Sequence, residues 1–319
     1  MRLRQDASVT ATPGPARPGE RGLASHQPVD IAALLEPAWA CVERVAEQID
    51  LDVGTRLPGW TARHVLVHLG SWDGDDGFAA RIAEVRSGVV EQAEDTAARN
   101  ARLVATHHDA SRDEVLAALR RGRVGTTTYL LGDDVADTGA GEVSSPLGPL
   151  PLTGLLVARA YELAVHTLDL APAGAAPPDD ALLVAGLAAL VDVTGALLAR
   201  RDLTATFAVL TPVGGWVVNA AGGDWTTSRL APGRSGRALG CPAIEGQAAD
   251  VLDGSAGRAA AAQLLLTRRL RAHDVAGLLQ VLPAIDTAPG MPGGPGVRAA
   301  ARALAGGGRV LAGWTGRKG

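Results

Sequence analysis

Two stretches of the chain carry potential ligands at helical spacing. Glu162-Leu-Ala-Val-His166 sets a carboxylate and an imidazole four residues apart, which puts both on one face of a helix. The surrounding Leu155, Leu156, Val157, Leu163, Val165 and Leu168 are apolar. A carboxylate and an imidazole in that setting must be paired, bound to metal or turned to solvent. His64-Val-Leu-Val-His68 repeats the spacing with two imidazoles, which also face one way. Either pattern alone fits an ordinary polar stripe on an amphipathic helix. His68 lies nearer the apolar centre of its segment. His68, Glu162 and His166 together would supply two imidazoles, one carboxylate and an open position, the donor set of a catalytic zinc site. Asp169, three residues after His166 on the same helical side, suits a supporting role behind that imidazole or a solvated place at the helix end.

The elements that must position these residues read as helices through the first half. Asp30 precedes an apolar-periodic run, residues 31–49, with Pro37 inside it as a kink or restart. Leu57-Pro-Gly-Trp60 is a turn, and Thr61 caps a second helix through His64, His68 and Leu69. Ser111-Arg-Asp-Glu114 resembles a capping box opening a third helix to about Leu131. After a Gly/Ser/Pro loop at 139–149, a fourth runs from about Leu152 to Leu170. Four such helices suggest an up-and-down bundle with ligands facing its core. An Ala/Pro linker, 171–178, precedes a change of pattern. A helix at 180–200 is followed by short β-like runs at 204–210, 216–220 and 225–230. Pro212 and Gly214-Gly215 mark a hairpin between the first two. A fourth strand is expected at 242–245, and helices at 247–252, 258–267 and 273–282. The fold class is therefore α plus α+β. The expected divisions are a disordered tail 1–28, a bundle 29–171, a small α+β domain 178–287 and a flexible Gly/Pro/Arg tail 288–319.

Composition narrows the functional classes. The 319 residues carry 30 basic and 34 acidic side chains, a formal charge of −4, which argues against a nucleic-acid partner. The 47% hydrophobic content is that of a globular protein. No run approaches the roughly 18 uninterrupted apolar residues of a membrane span. The N-terminal segment lacks the apolar stretch of a signal peptide, so a cytoplasmic protein is expected. Cys41 and Cys241 cannot build a disulfide framework and read as small core residues.

The segment Leu57-Pro-Gly-Trp-Thr-Ala-Arg-His-Val-Leu-Val-His-Leu-Gly70 resembles the second-helix signature of the mycothiol-dependent maleylpyruvate isomerase family. Ser145-Pro-Leu-Gly-Pro-Leu-Pro-Leu152, followed by Ala160-Tyr-Glu-Leu-Ala-Val-His-Thr-Leu-Asp-Leu170, resembles its last bundle helix. The resemblance covers about 30–170 and implies a DinB-like metal-binding bundle with His68, Glu162 and His166 as metal ligands. His64 occupies a position usually acidic or polar in the family and is left out of that set. Gly215-Trp-Val-Val, Pro242 to Leu252, Gly257-Arg258 and Arg269 to Asp274 resemble the bacterial sterol-carrier-like domain often fused behind such bundles. That likeness implies a curved sheet with helices over an apolar cavity.

The implied chemistry is a zinc-dependent, or other divalent-metal-dependent, thiol enzyme of the isomerase or S-transferase type. Mycothiol or a similar low-molecular-weight thiol would attack a small electrophile. Arg63, Arg159 and Arg258 are candidates to hold carboxylates of the thiol or of a dicarboxylate substrate. Trp60 reads as a core anchor and Trp72 as a pocket wall. The competing function is a non-enzymatic sterol-carrier-like protein that binds an apolar ligand, with the bundle as its metal-binding scaffold.

Overall fold

The computed structural model describes residues 16–72, 77–90 and 95–285. The expected flexible segment 288–319, and residues 1–15 of the expected N-terminal tail, lie outside the described residues.

A 3-10 turn at Gly22–Ser25 leads into α1 (Pro28–Gln48), α2 (Ala62–Leu69), α3 (Gly77–Ser87), α4 (Thr96–Thr106), α5 (Arg112–Leu131) and α6 (Asp134–Thr138). The short pair β1 (Glu142–Val143) and β2 (Leu150–Pro151) then introduces α7 (Leu152–Asp169). Helix α1 runs unbroken through Pro37 rather than restarting there. The lost hydrogen bond is outweighed by burial of Ile31, Leu35, Trp39, Val42 and Val45 along one face. Thr61 and Ser111 both close capping boxes, where the sequence places them. Helices α3 and α4 fill a stretch that carries no clear periodic signal, and α4 buries none of its residues.

The second half holds α8 (Asp180–Arg200), β3 (Ala205–Thr211), β4 (Gly214–Ala221), β5 (Asp224–Leu230), α9 (Gly236–Leu239) and β6 (Ala243–Gly246). It ends with α10 (Ala248–Ser255), α11 (Ala261–Leu266), β7 (Leu270–His273) and α12 (Val275–Ile285). The strands form one sheet in the order β5-β4-β3-β6-β7, antiparallel throughout except for the parallel β3–β6 pair. Arg258 and Gly257 lie in a loop, not in a helix beginning at 258, and residues 270–273 form the edge strand β7 ahead of α12.

Helix α8 joins the halves. Among the described residues it is the one helix long and apolar enough to cross a membrane, with mean hydropathy 2.2, yet 78% of that stretch is buried inside the fold. A helix apolar on all sides needs cover on all sides. It gets this by packing on α7 and α1 on one flank and on β4 and β5 on the other. One continuous core thus runs from Leu35, Leu119 and Leu163 through Leu187 and Leu198 to Trp216 and Trp225. The opposite face of the sheet carries a smaller cluster, Ala208, Leu210, Val217, Leu230, Leu239 and Ala243.

Residues 16–27, expected within a disordered tail, are instead strapped to β5 and to α8. The Leu23 amide donates to Asp192 Oδ1 at 2.9 Å, the Gly19 amide to Asp224 Oδ2 at 3.0 Å, and the His26 ring nitrogen Nε2 lies 3.0 Å from the Thr227 carbonyl. Gly22 has φ +56°, and a Cβ there would fall 2.0 Å from Asp192 Oδ1 and from Trp225 Nε1, so only glycine fits. The Pro/Gly-rich composition of this segment reads as disorder because its partners lie some 200 residues away in the chain.

Candidate metal centre

Helix α2 is fixed at both ends before it presents His68. At its start Thr61 accepts the His64 amide, while His64 Nδ1 accepts the Thr61 amide at 3.3 Å. His64 therefore serves the cap. At its end Arg159 Nη2 donates to the carbonyls of His68 and Leu69 at 3.1 and 2.8 Å, satisfying groups that a helix C-terminus leaves open. Helix α7, packed against α2, brings Glu162 and His166 on the facing turn.

The three side chains converge. Glu162 Oε2 lies 3.4 Å from His68 Nε2 and 3.2 Å from His166 Nε2, and the two imidazole rings sit edge to face with centroids 5.0 Å apart. One ligand atom from each residue falls within 4.8 Å of the others, and among the described residues this is the one His/Cys/Asp/Glu group so arranged. Charge-assisted N–H···O contacts run at about 2.7–2.9 Å. Donors bonded to a shared ion at about 2.0–2.1 Å in a tetrahedron stand roughly 3.4 Å apart. The two Glu162 separations lie near the second spacing, which makes the cluster a candidate site for a divalent cation. The His68 and His166 side chains are 10% and 11% exposed, whereas Glu162 is 43% exposed and marks the open side of the cluster.

Burial pushes the His68 imidazole down, with Glu162 offsetting this only in part. Burial alone would raise Glu162, but hydrogen bonds from His166 and His68 outweigh it and hold the carboxyl well below its usual range. His166 moves the other way. Burial lowers it, while Asp169 and Glu162 on its two nitrogens together raise it above an ordinary histidine. Asp169 is fully buried and lies 3.0 Å from His166 Nδ1. Burial raises its carboxyl, and His166 and Arg258 bring it below the ordinary value.

The three arginine candidates have protein partners. Arg258 grips Asp169 through Nε at 2.9 Å and Nη2 at 3.0 Å. Arg63 donates to the Ala110 carbonyl and pairs with Asp52 at 2.7 Å, and Arg159 caps α2 as above. Trp60 packs edge-on against His68 with ring centroids 5.9 Å apart. Trp72, expected as a pocket wall, stacks on His107 and donates Nε1–H to the Val67 carbonyl. Sequence reasoning missed Arg56, which reaches Asp169 and Asp253, because a lone arginine in an irregular loop belongs to no motif.

Residues 31–171 match the family described as Mycothiol maleylpyruvate isomerase N-terminal domain. Two solved structures resemble the chain. A crystal structure of a mycothiol-dependent maleylpyruvate isomerase mutant is 14% identical, with 80% of this chain and 96% of that one covered and a TM-score of 0.48. A crystal structure of the mycothiol-dependent maleylpyruvate isomerase is 15% identical, with 75% and 92% covered and a TM-score of 0.45. Comparison with curated protein sequences gives no match.

Proposed function

Because residues 31–171 belong to the mycothiol maleylpyruvate isomerase N-terminal domain family, we propose that the chain is a metal-dependent thiol enzyme of the isomerase or S-transferase type. The observation that carries this reading is the convergence of His68, Glu162 and His166 beside an open edge. His68 and His166 would each give an Nε2 lone pair and Glu162 one oxygen to a divalent cation, for which zinc suits two imidazoles and a carboxylate. Such a cation lowers the pKa of a thiol beside it and so supplies thiolate near neutral pH. Asp169 accepts the Nδ1 proton of His166, which fixes the tautomer that leaves Nε2 free. Arg258 keeps Asp169 ionised and oriented.

The thiol must come from outside the chain. Burial raises both Cys41 and Cys241, so neither is a thiolate at neutral pH. Mycothiol, or a thiol like it, is the cofactor this reading implies, and two unpaired cysteines agree with a reducing, cytoplasmic setting. In the isomerase form of the reaction, thiol addition turns an activated cis double bond into a single bond. Rotation and elimination then return the thiol and leave the trans alkene. The test is to incubate the zinc-loaded chain with mycothiol and a panel of electrophiles that includes maleylpyruvate. Conversion that needs both metal and thiol is expected. A metal-replete chain that consumes no electrophile at any thiol concentration would contradict the reading.

The carrier alternative has one observation in its favour. A cleft of ≈ 630 Å³ between α1, α8 and the β3–β4 hairpin has an apolar floor that includes Ile31, Val184 and Trp216, with His26, Asp30, Asp180 and Arg229 also lining it. It shares no residue with the metal cluster. Tight binding of a fluorescent fatty acid by the metal-free chain, with no thiol chemistry in the loaded one, would favour that alternative.

A further inference from the structure

The loop between α1 and α2, residues 51–61, touches the support of both candidate imidazole ligands. It is a built turn: the Thr55 amide and hydroxyl both donate to the Trp60 carbonyl at 3.0 Å, and the Ala62 amide donates to the Val53 carbonyl at 2.9 Å. At one end Trp60 lies against the His68 ring. In its middle the Arg56 amide donates to the Asp169 carbonyl at 3.0 Å, closing the C-terminus of α7. The Arg56 guanidinium has Nε 3.8 Å from Asp169 Oδ1 and Nη2 2.8 Å from Asp253 Oδ1 on α10. Asp169 in turn holds His166. Asp253 also accepts the backbone amides of Arg258 and Ala259 through its own carbonyl, at 2.8 and 3.2 Å, and so sets the loop from which Arg258 reaches Asp169.

We propose that Arg56 is a positioning residue that couples docking of α10, part of the sheet-containing half, to the geometry of the metal centre. Its guanidinium bonds Asp253 in the second half while lying within charge range of Asp169 in the first, and its backbone amide closes α7, so one residue ties the two halves together. Asp169 is fully buried and gripped by two bonds from Arg258, whose loop Asp253 sets, so losing the Arg56–Asp253 pair loosens that loop and with it the direction in which Asp169 holds the His166 Nδ1 proton.

This inference rests on the metal reading above. The test uses the full chain: wild type, Arg56→Met, Arg56→Lys, Asp253→Asn and the Arg56→Met/Asp253→Asn double variant. Zinc affinity is measured by competition with a chelating dye, and visible absorption is recorded for the cobalt-loaded proteins. Arg56→Met and Asp253→Asn should each weaken zinc binding about 3–10-fold, below the 10–100-fold typical of direct partners of ligands. The double variant should be no weaker than the worse single one, because both break one bridge. The cobalt ligand-field bands should shift in Arg56→Met and return partway in Arg56→Lys, a response that mere loss of stability would not give. Unchanged affinity and unchanged cobalt spectra in both single variants, with wild type binding zinc, would overturn this inference alone. A wild-type chain that takes up no zinc would overturn it together with the reading it rests on.

Discussion

Replacing His166 with alanine should cost the chain its metal. The imidazole sits between Glu162 at 3.2 Å and Asp169 at 3.0 Å, so it is both a candidate donor and the link to the groups behind the site. Protein sites hold zinc with roughly 10–16 kcal/mol shared among about four ligands, so one ligand accounts for roughly 3 kcal/mol or more. That corresponds to an affinity loss of at least about 10²-fold. Thiol-dependent turnover should fall with it. The fold should survive, because Arg258 and Arg56 still neutralise Asp169 and the apolar face of α7 is untouched. Metal content after dialysis, alongside far-ultraviolet circular dichroism, checks this. A folded His166→Ala chain that retains stoichiometric zinc would show that the imidazole is not a ligand.

The second large effect concerns stability. Asp192 Oδ1 accepts three donors in the core: the Leu23 amide at 2.9 Å, Trp225 Nε1 at 3.1 Å and the Thr227 hydroxyl at 2.6 Å. Asp192→Ala strands all three and removes the tie between the N-terminal strap and α8, for a loss of about 3–5 kcal/mol. Asp192→Asn keeps an acceptor and should recover most of it. The pH dependence has a definite sign. Burial raises the Asp192 carboxyl above its ordinary value even against three donors. The folded state therefore binds this proton more tightly than the unfolded chain does. Its contribution to stability is complete below the ordinary carboxylate range and declines as pH rises through the raised native value. The difference in unfolding free energy between wild type and Asp192→Asn, followed by urea titration from acid to neutral pH, should move in favour of the Asn variant as pH rises. A difference that stays constant with pH would contradict the account.

The reach of the sequence follows from the range of each interaction. Spacing within a turn is local, so the Glu162/His166 face and the Thr61 and Ser111 caps are readable residue by residue. The β3–β4 hairpin is equally local, with Thr211 opposite Gly214. That α2 and α7 face each other is not local; the count of four helices suggests it through the bundle they would form, and the family resemblance implies it independently. The apolar length of α8 signals burial but not what covers it, and the Ala/Pro linker before it gives no sign that one hydrophobic cluster runs through both halves. Helix α4 escaped notice because its apolar side is short: Leu103 and Val104 pack against the core only partly buried, and no residue of the helix is fully covered. The arginines show the limit most clearly. Arg258 reads as a free anion-binding group, yet its partner is Asp169, 89 residues earlier in the chain.

X-ray absorption on the zinc-loaded chain tests the central claim most directly. The account predicts two imidazole nitrogens, with the oxygen donors of Glu162 and one further light ligand, at about 2.0–2.2 Å from a single ion. On addition of mycothiol, a sulfur neighbour should appear near 2.3 Å. A spectrum without imidazole back-scattering would contradict the account, because the ion would then be bound somewhere other than His68, Glu162 and His166.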